Sequence, residues 1–362
     1  MEITGEITGI KYNVTLSKKL KIFDFNDFDI NKAPSACQIS DKGSTFAISK
    51  WVSPKRTRSY PYERVYNTLG YSKKITVIPI VKDEGAAGDR DFIQWDTISL
   101  MSLLDVFVIF GYYDDAKKAK LNKITSQKFN NDYVISKINE IKNYHSSALH
   151  WNLNEINGVG NLLDKVKTAY VQIEKMTGVP LHNKNGLDNF QNKIREEVDA
   201  FMKFSRQKAK EAQSREINTI QPKEVLSSIT KAKITITNYL GGQYFFTVDE
   251  ILVILNAIEL KEGKHSKNAI LPSRSDIMDG LVKMILYTNL PNISLNDNVY
   301  QTFPILKLTS PKIKGEICSL DDQESINDFF KNNTFKESQK QLVVNLFIEA
   351  KLNNFTVRIH TL

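Results

Sequence analysis

Residues 243 to 266, QYFFTVDEILVILNAIELKEGKHS, constrain the fold more than any other stretch of the chain. β-Branched and aromatic residues alternate with polar ones on both sides of a tight turn at Leu255 and Asn256, which is the pattern of an antiparallel hairpin. Successive side chains of a strand point to opposite faces. With an even-length loop, one face collects Thr247, Asp249, Ile251 and Val253 with Ile258, Leu260, Glu262 and Lys264. The other collects Val248, Glu250, Leu252 and Ile254 with Ala257, Glu259, Lys261 and Gly263. AKITITNYL (232 to 240) and a Gly-Gly turn come just before, so a three-stranded antiparallel meander is expected.

The two faces differ in their charges. On the second, Glu250 falls opposite Lys261, an ordinary cross-strand ion pair. On the first, an aliphatic run passes into Asp249 facing Glu262, with Lys264 one step beyond. Two carboxylates opposite each other repel, and desolvation beside an apolar core strengthens the repulsion, so compensation is required. A divalent cation supplies it, because Mg²⁺ takes hard oxygen ligands and is commonly held by one or two carboxylates with phosphate and water. Alternatives stay open. Lys264 could simply bridge the two acids in a structural hairpin. Glu259-Leu260-Lys261 repeats the acid-x-lysine spacing on the face of Glu250, and an odd-length loop or a bulge would exchange the faces.

Elsewhere the chain reads as α/β (α+β): a mixed central sheet flanked by helices, with a helical insertion. KKITVIPIV (73 to 81) and VFVIFGYY (106 to 113) are buried-strand runs around QWDTISLMSLLD (94 to 105), which has helical spacing. From 120 to 217 apolar residues recur at helical intervals. The resulting division is an α/β region at 1–119, a helical region at 120–217 and a strand-rich region at 218–362. LPSRSDIMDGLVKMILYTNL (271 to 290) is a capped helix, with Ser273 or Ser275 near its start and Ile277, Leu281, Met284 and Ile285 on its buried side. In GDRDFIQWD, Asp89 and Asp91 read as a polar turn and Asp96 as a helix N-cap; with Glu63 upstream they also admit a second, degenerate acidic site.

Hydrophobic residues at 41% and charged residues at 25% are those of a globular protein. No apolar run approaches the ~18 residues needed to span a bilayer, and the N-terminal residues lack a signal pattern, so a cytoplasmic location with no membrane partner is expected. Cys37 and Cys318 alone cannot build a cysteine-based zinc site. Lys and Arg number 49 against 41 Asp and Glu, a net charge of +8 that suits a polyanionic partner. SPKRTRSYPYERVY places Lys55, Arg56, Arg58 and Arg64 among tyrosines, and KFSRQKAKEAQSR carries Arg206, Lys208 and Lys210. Both suit contact with a phosphate backbone, and both are also what solvated surface segments look like.

The spacing Val248-Asp249, then twelve residues, then Glu262-Gly263-Lys264 followed by His265 resembles the PD-(D/E)XK nuclease superfamily, over roughly residues 210 to 290. Val248 stands where the family name has Pro. The resemblance implies a Mg²⁺-dependent endonuclease acting on double-stranded DNA, most like a type II restriction enzyme. Asp249 and Glu262 would be the metal ligands, and Lys264 would orient or help deprotonate the attacking water or balance charge at the phosphate. An acid on the preceding helix would complete the site, Glu216 or Glu224. A homodimer would cut both strands of a palindrome. A restriction enzyme needs a companion methyltransferase, which separates it from a repair or phage-defence nuclease; a non-catalytic DNA-binding or scaffold protein on a decayed nuclease fold is the remaining alternative. No P-loop, dinucleotide fingerprint, HExxH or GxSxG motif is present.

Overall fold

The computed structural model describes residues 2–55, 61–196, 207, 211, 232–238 and 242–361. The chain forms two compact units, Met1–Lys18 with Lys208–Leu362, and Lys19–Gln207 between them in sequence. The cuts fall at 18/19 and 207/208, whereas the sequence suggests 119 and 217. β1 (Glu2–Ile7) accounts for the difference, since it pairs in parallel with a strand more than 200 residues later, a partner that no local pattern reveals.

The inserted unit begins with β2 (Ile22–Asp24), a 3₁₀ turn at Phe25–Asp27, β3 (Ala36–Asp41), β4 (Ser44–Lys50) and α1 (Pro61–Tyr66). It continues through β5 (Lys74–Pro79), β6 (Val81–Asp83), β7 (Arg90–Phe92), α2 (Trp95–Leu103) and β8 (Val106–Gly111). Next come β9 (Tyr113–Lys120), β10 (Lys123–Phe129), α3 (Asn131–Lys142), α4 (Ala148–Asn157), α5 (Val159–Thr177) and α6 (Asn185–Glu196). Its main sheet runs β2-β3-β4-β5-β8, and the expected strand-helix-strand unit is present as parallel β5 and β8 with α2 between them in sequence. Every residue of β5 and β8 is buried, which is why both read as unbroken hydrophobic runs and not as alternations. Asn152 of α4 fastens this sheet: its Oδ1 accepts from the Val108 amide at 2.7 Å, and its Nδ2 donates to the Val106 carbonyl at 3.0 Å.

The structure overturns two expectations in this unit. The helical region does not start at 120, because Tyr113–Phe129 forms an antiparallel ribbon whose outer lysines disguise its alternation. Asp96 is not an N-cap: Gln94 holds that position, and Asp96 lies buried in the first turn.

The other unit resumes with β11 (Ala232–Asn238), β12 (Gln243–Val248), β13 (Glu250–Ile254), β14 (Ala257–His265) and α7 (Arg274–Thr288). It ends with β15 (Asn292–Leu295), β16 (Asn298–Thr309), β17 (Glu316–Cys318), α8 (Gln323–Asn332), α9 (Glu337–Leu352) and β18 (Thr356–His360). The sheet path is β12-β11-β1-β15-β16-β14-β13, with β18 on β16 and β17 on β18. Its two ends are consecutive in the chain, separated by Asp249 alone, so the sheet curls until they meet. The expected meander is therefore two antiparallel pairs sharing one broken strand: β12 follows β11, and β13 turns back into β14.

α7 and then β15 separate β14 from β16 in the chain; β14 and β16 lie side by side in parallel, and α7 packs against both. Its start is set by a capping box, in which Ser273 Oγ accepts from the Asp276 amide at 3.1 Å and Asp276 accepts from the Ser273 amide at 3.2 Å. Nearly all of its inner turns are buried, including the four expected positions Ile277, Leu281, Met284 and Ile285. The architecture is mixed α/β, and no helix among the described residues is long and apolar enough to cross a membrane.

Candidate functional site

The hairpin register follows the side-chain parity. Glu250 pairs with Lys261 and Ile254 with Ala257 around a turn in which Leu255 adopts φ 49°. One step beyond the ladder, Asp249 occupies the break between β12 and β13, where its Oδ2 accepts from the Gly263 amide at 2.8 Å. That bond turns the carboxylate toward β14. The aliphatic run of this face divides: Ile258 and Leu260 are fully buried, whereas Val253 of β13 stands 42% exposed.

Glu262, 1% exposed, lies beneath Asp249. Its Oε1 is 3.0 Å from Lys264 Nζ, and its Oε2 is 2.7 Å from the Nζ of Lys283, which reaches in from α7. Lys264 also pairs with Asp279, one turn earlier on α7, at 2.9 Å. Gly280 makes room for this contact: a Cβ there would stand 2.9 Å from Leu306 Cδ1 and 3.2 Å from Lys264 Cε. The site is therefore a five-residue cluster of three acids and two lysines.

Lys283 and Asp279 correct the sequence argument that only a captured cation makes the two carboxylates tolerable. Both oxygens of Glu262 are already held by lysines. Burial alone would push the Glu262 carboxyl up, but the pull of Lys283, then of Lys264, holds it below its usual range. Among the described residues, Asp249 has no lysine in direct contact. Burial first and the Glu262 charge second push it up to about 7. Lys264 loses stability as a cation through burial, yet Glu262 and Asp279 raise it above the ordinary lysine value. A lysine held that firmly protonated at neutral pH does not take a proton from water, so of the three roles expected for it, orientation and charge balance remain.

The Asp249 shift fixes the sign of a pH effect. A carboxyl raised above its unfolded value of 3.8 binds its proton more tightly in the folded chain, so its contribution to stability is full below about 3.8 and is lost as pH rises through about 7. In the metal-free protein, Asp249→Asn is expected to gain stability relative to the wild type between pH 5 and 8. Urea midpoints of the two chains across that range check this, and a constant difference would contradict it.

The opposite face holds the second acid-x-lysine candidate. Lys261 pairs with Glu250 at 2.5 Å and Glu259 at 3.1 Å, while Lys307 reaches Glu250 at 3.1 Å and Arg358 reaches Glu259 at 3.6 Å. These charges neutralise one another across neighbouring strands. His265 is engaged with Thr309 Oγ1 at 3.0 Å and is not part of the Glu262 cluster.

Among the described residues, no group of three or more His, Cys, Asp or Glu side chains could hold a metal ion. The pair Asp249 and Glu262 still fits Mg²⁺ by donor chemistry: both are hard oxygen ligands, and they lie close enough that the Glu262 charge, after burial, helps to raise the Asp249 carboxyl. Glu216 and Glu224, expected to complete the site, lie outside the described residues, as do Arg56, Arg58, Arg206, Lys208 and Lys210. Lys55 and Arg64 are described, and both are used internally. Lys55 pairs with the buried Asp91 at 2.5 Å, and Arg64 donates to the Lys50 carbonyl at 2.8 Å. Asp91 thus serves as a buried anchor for Lys55 and Ser53, whose hydroxyl donates to it at 3.0 Å, and not as part of a polar turn.

Comparison of the chain with protein-family models, with curated proteins and with solved structures finds no match.

Proposed function

We propose that the chain is a Mg²⁺-dependent endonuclease acting on the phosphodiester bonds of double-stranded DNA, with a restriction-type substrate and a PD-(D/E)XK-like core in residues 218–362. The observation that carries this reading is the convergence of Asp249, one step beyond the hairpin ladder, with Glu262 and Lys264 of β14, backed by α7, which packs against β14 and its parallel neighbour β16. Asp249 and Glu262 would hold the ion, whose chemistry there is polarisation of the scissile phosphate and acidification of bound water. Lys264, fixed by Asp279, presents a permanent positive charge to the phosphate. Lys283 holds the second oxygen of Glu262 and so fixes how that carboxylate is aimed. The cleavage of both strands would use a homodimer.

The saturation of Glu262 by two lysines favours a second reading, a DNA-binding or scaffold protein in which the cluster is purely structural. Incubation of supercoiled plasmid with the protein and Mg²⁺ separates the two. The nuclease reading expects nicked or linear products that disappear with EDTA and fall at least ~100-fold in rate in Lys264→Ala. Uncut plasmid across varied sequences and divalent metals, from a folded protein, supports the scaffold.

A further inference from the structure

The ribbon of β9 and β10 has an organisation that the nuclease site does not explain. Among the described residues its two strands pair only with each other, and its inner side chains, Tyr113, Ala116, Ile124 and Phe129, are buried. α5 packs against β9 from one side. The tip is also held: the Asn122 carbonyl accepts from the Ala87 amide at 3.0 Å, and the Ile124 amide donates to the Glu84 carbonyl at 2.9 Å. The ribbon is thus held along one side and at its tip, and is not a free loop.

Its distal half is cationic on both faces, because Lys117 and Lys118 are consecutive in β9 and point to opposite sides of the ribbon. Asp114 and Asp115 sit at the base, and beyond them residues 116 to 128 contain lysines 117, 118, 120, 123 and 128 and no acid. Lys123 is neutralised by Glu84 at 3.1 Å and Lys128 by Asp115 at 2.7 Å. Lys117, Lys118 and Lys120 are exposed and reach no acidic partner among the described residues. Lys120 stands directly across the ladder from Lys123, whose charge Glu84 already meets. Leu121, 75% exposed, caps the tip.

We propose that this ribbon is a backbone-contacting surface for double-stranded DNA, with Lys117, Lys118 and Lys120 each neutralising a phosphate. An antiparallel two-stranded ribbon has the width that the major groove of B-DNA admits, and a ribbon backbone already held in place loses little freedom on contact. This inference rests on the DNA substrate of the proposed function but not on cleavage.

The test measures binding of the full chain to a mixed-sequence DNA duplex in EDTA, by fluorescence anisotropy over a range of KCl concentrations. Each lost phosphate contact lowers the slope of log K against log salt by about 0.9, so the combined Lys117→Ala, Lys118→Ala and Lys120→Ala variant should lose roughly 3 from the slope and roughly 10- to 100-fold in affinity near physiological salt. A control pair on other helices, Lys331→Ala with Lys340→Ala, should change neither. Acetylation footprinting of the wild-type chain needs no variant and should show these three lysines protected by the duplex. Unchanged slope and protection overturn the proposal, as does wild-type protein that binds no duplex, or protection by anionic vesicles or duplex RNA in place of DNA. Uncut plasmid with lysine-dependent binding would remove the nuclease reading and leave this inference standing; cut plasmid with indifferent lysines would do the reverse.

Discussion

Glu262→Ala is expected to cost the fold about 3–5 kcal/mol, because it strands a buried cation. Glu262 is the only carboxylate in direct contact with Lys283 among the described residues, and it is 1% exposed. Lys283 is raised well above the ordinary lysine value, against the effect of burial, chiefly by the Glu262 charge and then by Asp249. Lys264 suffers less, since Asp279 still holds it. Replacing Lys283 by Met in the same chain should recover most of the loss, because an apolar side chain of similar volume removes the stranded charge. Urea unfolding of the single and double variants measures this; an additive or larger loss in the double variant would contradict it. A lost activity in Glu262→Ala therefore cannot be assigned to chemistry, and substitutions at Asp249 and Lys264 report on the site more cleanly.

Glu349→Ala should also be damaging, at about 3 kcal/mol, by a different route: it removes the shared acceptor of four donors, of which the Leu16 amide is buried and the other three part-buried, and a buried donor left unmet costs about 1–3 kcal/mol. Glu349 of α9 is fully buried. Its Oε1 accepts from Tyr12 Oη at 2.8 Å, and its Oε2 accepts from Thr15 Oγ1 at 2.8 Å and from the amides of Thr15 and Leu16 at 2.9 Å each. The Leu16 carbonyl in turn accepts from Arg274 at 2.7 Å, on the first residue of the helix that carries Asp279 and Lys283. Loosening the segment should reach that helix. Hydrogen exchange is expected to quicken first at Thr15 and Leu16, then along the first turn of α7; global destabilisation with those amides still protected would contradict this.

The hairpin register is legible in the sequence because it depends only on parity and on a two-residue turn, both local properties of residues 248 to 265. The helix start at Ser273 is legible for the same reason, since cap and box lie three residues apart. The role of Lys283 is not, although a signal exists: in GLVKMIL a lysine interrupts a run that is apolar on every side of a helix, and such a lysine requires a buried acid. Which acid it meets depends on how α7 lies over β14, which spacing does not state. The carboxylate repulsion can be read from the hairpin, and its compensation cannot, because two lysines close the balance before any ion is considered. The parallel pairing of β1 with β11 is beyond local patterns altogether, as is the break at Asp249, where the sequence reads as one continuous strand.

The central claim is that Asp249 and Glu262 hold a cation together. A Mn²⁺ titration of the metal-free wild type near pH 8, read by electron paramagnetic resonance beside Asp249→Asn, tests this most directly. The asparagine side chain of that variant keeps an acceptor for the Gly263 amide, so the fold is preserved while one ionised ligand is removed. The predicted result is a single ion bound by the wild type and affinity at least ~10-fold weaker in the variant, as expected when one charged ligand is lost; no binding by the wild type, or equal binding by both, would contradict it.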